Sequence, residues 1–130
     1  MSRLDEILKA IYTLLSGDTE LSNQVKGIYF AKFPETEFPI IVINHINSNA
    51  RNYLTGDVYV EEHYIQINIY STSSSAIEAV NIAERVMMLM DNAKLDENTI
   101  GCERVFQSLI PINEIWNFVV RYKILTFALR

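Results

Sequence analysis

From Val58 to Tyr70 the chain alternates with a period of two. Ile65, Ile67 and Ile69 fall on one side, and Tyr64, Gln66, Asn68 and Tyr70 on the other. Successive side chains leave a strand on opposite faces, so this stretch predicts one long strand with an apolar face. Upstream, Ile40-Ile41-Val42-Ile43 opens a second strand that runs towards Ile46, and Gly56-Asp57 is a turn signal between the two. A hairpin pivoting near Leu54 sets Ile43 against Ile65, Ile41 against Ile67 and His45 against His63. That register gathers the aliphatic side chains on one face, and a slip of one residue would mix the faces. A strand of about 13 residues reaches about 45 Å, whereas a helix of about 17 residues covers about 25 Å. Part of the hairpin is therefore expected to project from the body. Projecting strands either pair with another chain or carry a binding loop.

The flanking segments read as helices and further strands. Leu4, Ile7, Leu8, Ile11, Leu14 and Leu15 form one stripe at helical spacing, with Ser2 and Asp5 as an expected capping box and Gly17 at its end. Asp18 is placed to cap a second short turn carrying Leu21 and Val25, and Gly27 precedes a short strand, Ile28-Tyr29-Phe30. Pro34 and Pro39 bracket an irregular segment. Ser75-Ala76-Ile77-Glu78 matches a capping box, followed by a helix that turns Ala76, Ala79, Val80, Ala83, Val86, Met87 and Met90 inward. After a polar loop from Asp91 to Thr99, two strands are expected at Gly101–Ile110 and Ile115–Leu129. In the last, Trp116, Phe118, Val120, Tyr122 and Ile124 alternate with Asn117, Arg121 and Lys123. The order predicts an α+β fold: an antiparallel β-sheet with a long projecting hairpin, packed against an N-terminal helix and a central helix.

Composition narrows the class. A chain of 130 residues fits a single domain, 1–130, and 49% hydrophobic residues suffice for a core. The lone Cys102 excludes an intramolecular disulfide framework and a multi-cysteine metal knuckle. A net charge of −5 argues against gripping nucleic acid by neutralising phosphates. No apolar run approaches the roughly 20 residues of a membrane span, and Met1 to Glu6 lacks a signal-peptide pattern. A soluble domain made in the cytoplasm is expected.

Few residue sets suggest chemistry. His45 and His63, with Glu61 nearby, have the donor types of a metal site in a small metal-binding enzyme, but no third ligand has a strong spacing cue. Cys102 reads as a small core hydrophobe before it reads as a nucleophile. The serines 71, 73, 74 and 75 lack a Gly-x-Ser-x-Gly elbow. Glu61 and Glu62 point to opposite faces and so cannot flank one bond. The isolated glycines make no phosphate loop. Met88 is the one exposed member of the methionine group. No catalytic residue, cofactor site or metal site is assigned.

The pattern as a whole is familiar. Tyr12-Thr13-Leu14-Leu15-Ser16-Gly17-Asp18 precedes Val25-Lys26-Gly27-Ile28-Tyr29. Phe38-Pro39-Ile40-Ile41-Val42-Ile43 and Tyr64-Ile65-Gln66-Ile67-Asn68-Ile69-Tyr70-Ser71 follow, then the helix from Ser75 to Met90 and two closing strands. Nearly the whole chain resembles the tail completion proteins of long-tailed bacteriophages and prophages, also called tail terminator or tail-to-head joining proteins. The resemblance implies a small α+β structural protein of the virion, at the junction of head and tail, without enzymatic activity. It implies a six-fold ring on the tail tube, monomeric when free. The partners would be the tail tube protein and the head connector, with DNA passing through without specific binding. A head-completion or connector protein of the same particle is the alternative. The interaction residues expected at the hairpin tip are Asn47, Asn49, Arg51, Asn52, Tyr53, Leu54, Thr55, Gly56 and Asp57. The plainer reading of each is a mobile surface loop.

Overall fold

A computed structural model of the chain describes residues 3–31, 37–51 and 58–129. The elements run α1 (Leu4–Ser16), α2 (Thr19–Gln24), β1 (Gly27–Phe30), β2 (Ile40–Arg51), β3 (Val58–Ser71), α3 (Ile77–Met90), β4 (Thr99–Ile112) and β5 (Ile115–Leu129). The five strands form one sheet in the order β1-β2-β3-β5-β4. The fold class is the expected α+β, with both helices in place.

One edge of the sheet differs from the all-antiparallel expectation. β1 runs parallel to β2, pairing Gly27 with Ile40 and Phe30 with Ile43, so the sheet is mixed. Four residues of strand span only about 13 Å, and residues 31–39 are enough chain to return over that distance. The pairing is closed at both ends, by Lys26 N–H to Pro39 O (2.8 Å) and Ala31 N–H to Ile43 O (2.9 Å). The Phe38–Pro39 peptide bond at the entry to β2 is cis.

β2 and β3 pair antiparallel, but two residues away from the expected register: Ile43 meets Ile67, Ile41 meets Ile69 and His45 meets Ile65. A shift of two preserves which side chains share a face, so the aliphatic grouping survives. That shift separates His63 from His45, and a bulge at Ile46, between His45 and Asn47, then moves His63 one residue further, from Asn47 to Ser48. β5 pairs with β3 along the whole of β3, from Val58–Leu129 to Ser71–Trp116, so β3 is a central strand from Val60 to Tyr70, where β2 flanks its other side.

The helices cover one face of the sheet. Ile7, Ile11 and Leu15 of α1, Leu21 of α2 and Ala79, Ile82, Ala83, Val86, Met87 and Met90 of α3 pack on Ile41, Ile43, Ile65, Ile67, Ile69, Phe118, Val120, Tyr122 and Ile124. Each fully buried aliphatic side chain contributes about 1.5–3 kcal/mol. Ile82 is buried where the sequence stripe omitted it, and Val80 is only half-buried.

The helix ends differ in part from expectation. Asp18 caps α2, its carboxylate accepting from Leu21 N–H (2.9 Å). α1 starts after Arg3 with no side-chain cap, and Asp5 pairs instead with Lys9 one turn on. Ser2, the other half of the expected box, lies outside the described residues. The box at Ser75 and Glu78 is also absent: α3 begins after Ala76, Ser75 Oγ accepts from Ile77 N–H, and Glu78 accepts from Ser71 Oγ (2.6 Å). The Ser71 hydroxyl at the end of β3 takes the carboxylate that would otherwise fold back on its own helix.

Candidate assembly surface

The free half of β2 carries the first of the expected interaction residues. Asn47 and Asn49 are exposed on it, and Arg51 is its last residue. Asn52, Tyr53, Leu54, Thr55, Gly56 and Asp57 lie outside the described residues. β1 covers β2 only from Ile40 to Ile43. From Asn44 onward, no strand pairs on that side among the described residues.

Between Asn47 and Asn49, Ser48 turns the other way. Its hydroxyl bridges His45 Nε2 (2.8 Å) and His63 Nδ1 (2.7 Å). His63 is fully buried, and its Nε2 lies 3.2 Å from Glu61 Oε1. Glu61 also accepts from Arg3 N–H (2.9 Å), while the Arg3 guanidinium pairs with Glu6 and Asp96. Burial pushes the His63 imidazole below its ordinary value, against the opposing pull of Glu61. The metal alternative therefore meets a structural arrangement. His63 addresses Ser48 with one nitrogen and Glu61 with the other, and His45 reaches it only through the serine. The described residues include no cluster of three metal-ligating side chains. The group ties the start of α1 to the middle of the sheet.

Glu62 points to the opposite face, 3.8 Å from Lys123 Nζ. Cys102 is buried, and desolvation pushes its thiol up to about 12, as befits a core side chain. Met88 stands out to solvent beside Arg85, while Met87 and Met90 enter the core.

The face turned away from the helices holds a network that sequence reasoning missed. Asn44 Nδ2 and Gln66 Nε2 both donate to Asn68 Oδ1 (3.1 and 2.9 Å), and Asn68 Nδ2 donates to Asn117 Oδ1 (3.0 Å). Arg121 Nε donates to Gln66 Oε1 (2.8 Å) and its guanidinium lies 4.9 Å from the centre of the Phe106 ring. Asn68 and Asn117 are buried yet hydrogen-bonded, so the ladder crosses β2, β3 and β5, and the Arg121–Phe106 contact carries it to β4. The available signal was the period of two in Gln66-x-Asn68 and Asn117-x-x-x-Arg121. The arrangement is a structural network of amides with Arg121 as its exposed end.

Comparison with known proteins agrees with that character. The family model described as "Tail completion protein gp17" matches residues 9–126. No curated protein matches the chain in sequence. Among solved structures, a chain from the virion of a native gene transfer agent particle is similar in fold, with a TM-score of 0.74 at 13% identity, covering 92% of this chain and 93% of that one. The gp17 protein of bacteriophage SPP1 is similar with a TM-score of 0.65 at 14% identity, covering 92% of this chain and 88% of that one. The chain belongs to the gp17 family of tail completion proteins, and is thus a structural component of a phage tail, carried in the virion.

Proposed function

We propose that this protein caps the growing tail tube as a ring and presents the surface to which the head connector binds. Family membership over residues 9–126 is the observation that carries this reading. The chain acts as a structural subunit rather than an enzyme, monomeric when free and six-fold on the tube. The segment from Asn47 to Asp57 reaches a partner, and the ring leaves a central passage for DNA. A net charge of −5 suits a passage that lets a duplex slide without being held.

The direct test adds purified chain to the two halves of its own particle. Tails assembled without the protein should regain the ability to join heads, and their tubes should stop at uniform length. Rescue of tail-less heads, with tails unaffected, would instead make it a head-completion protein.

A further inference from the structure

Among the described residues, the sheet has two long edges without a strand beside them. On one side, Asn44–Arg51 of β2 extends beyond the cover of β1. On the other, β4 is the last strand; Asn92 N–H takes Cys102 O at its start, and Glu103–Ile112 runs on free of any strand among the described residues. Backbone N–H and C=O groups along such edges invite another strand.

We propose that these two edges bind each other between copies of this chain, β4 of one subunit adding to the outer half of β2 of the next. The inference rests on the ring reading above and names the contact that closes it. Strand direction supports it. β2, β3, β5 and β4 alternate in direction, so β2 and β4 are antiparallel within one subunit. Rotation about an axis along the strands keeps those directions, and β4 then meets the next β2 in antiparallel sense. With four alternating strands per subunit the pattern repeats without a break.

Height supports it too. Pairing across the sheet puts Asn44, Gln66, Arg121 and Phe106 on one row, and Asn47, Tyr64, Lys123 and Glu103 on another. The two free edges share level over Asn44–Asn47 and Glu103–Phe106, and the rest of the contact needs a stagger along the strands, which tilting them about the ring axis supplies. Closed sheets also stagger their edges. Sliding Glu103–Ile110 opposite Asn44–Arg51 uses the whole free length of β2.

The side chains fit an occupied edge. Ile46 (46% exposed) on β2 and Val105 (46%), Phe106 (44%) and Ile110 (38%) on β4 leave large apolar groups in water. Neither stretch, 44–51 nor 103–110, contains lysine or proline, the usual guards of an open edge. Each edge does carry a bulge, at Ile46 and at Val105. With one bulge on each, the two edges keep the same number of pairing residues, and their faces stay matched along the contact.

The test uses the full-length chain bearing both Asn47→Cys and Ser108→Cys, which face each other in this register, alone at high concentration and on tail tubes. In one subunit these positions are at least three strand spacings, about 14 Å, apart, too far for a disulfide. Oxidation, or a shorter bismaleimide, should give a ladder of covalent multimers with the double variant and at most dimers with either single variant. Backbone amides of 44–51 and 103–110 should exchange about ten-fold more slowly in unmodified assembled chain, as burial of an edge requires. Assembled or tail-bound chain that gives no ladder, or whose edges exchange as in the free chain, would overturn the edge contact and leave the ring standing. Protection of the edges without a chain-to-chain ladder would assign them to another protein and also overturn it. A chain that neither self-associates nor binds tails would remove both readings.

Discussion

The same strands build two unlike surfaces. On the helical side, Ile65, Ile67 and Ile69 are wholly buried beneath α1 and α3. On the other, their immediate neighbours Gln66 and Asn68 join Asn44, Asn117 and Arg121 in a hydrogen-bonded ladder with no helix over it among the described residues. The apolar side supplies most of the stability, because area removed from water is what drives folding. The polar side supplies definition. Each amide has a particular partner, so a strand slipping by one residue would orphan several at once.

Adjacent substitutions put that contrast to work. Ile67→Ala should have the largest effect, a loss of about 2–5 kcal/mol measured by urea unfolding, from transfer and cavity terms together. Asn68→Ala should cost about 1–3 kcal/mol, because Asn117 loses its donor and Asn44 and Gln66 lose their acceptor. If Asn68→Ala proved as costly as Ile67→Ala, the division of labour between the faces would fail.

A smaller effect is expected in acid, on the helical side alone. The Arg85 guanidinium and the Leu21 N–H hold the Asp18 carboxyl at about 2 against an ordinary 3.8. A depressed carboxyl contributes fully above its unfolded value, and that contribution is lost as the pH falls from about 4 through 2. Buried His63 acts in the same sense from about 6.5 downward, since the unfolded chain takes up a proton before the folded one does. Stability should therefore decline in two stages on acidification. Asp18→Asn should flatten the lower stage and leave the upper one, as read by unfolding at stepped pH. The smallest change should come from Asn47→Ala with Asn49→Ala: within about 0.5 kcal/mol in stability, as for other exposed sites, but with reduced rescue of incomplete tails.

Legibility followed the period of two. The alternation in β3 and β5 told which side chains share a face, and a register error of two residues leaves that untouched. It carries no information about which strand lies alongside or in which direction, so the parallel entry of β1 was invisible. The turn gives no exact pivot, so the two-residue offset that puts His45 opposite Ile65 was invisible, and so was the bulge at Ile46, which adds one residue without altering composition. Gln66 and Asn68 were visible as polar positions; that their amides bond across three strands depends on neighbours distant in sequence. The interaction segment was legible only as a polar, turn-rich stretch. Of its residues, the described ones show exposed asparagines on an unpaired edge.

Cys102 sits on β4 facing Ile124 of β5, with no other cysteine in the chain. A thiol held up to about 12 and shut away from solvent does not meet an alkylating reagent while β4 stays in place. Its labelling rate is therefore a clock on the opening of that strand. If a neighbouring subunit anchors β4, the clock should slow when the chain goes from solution onto a tail, which gives assembly a readout that needs no mutation.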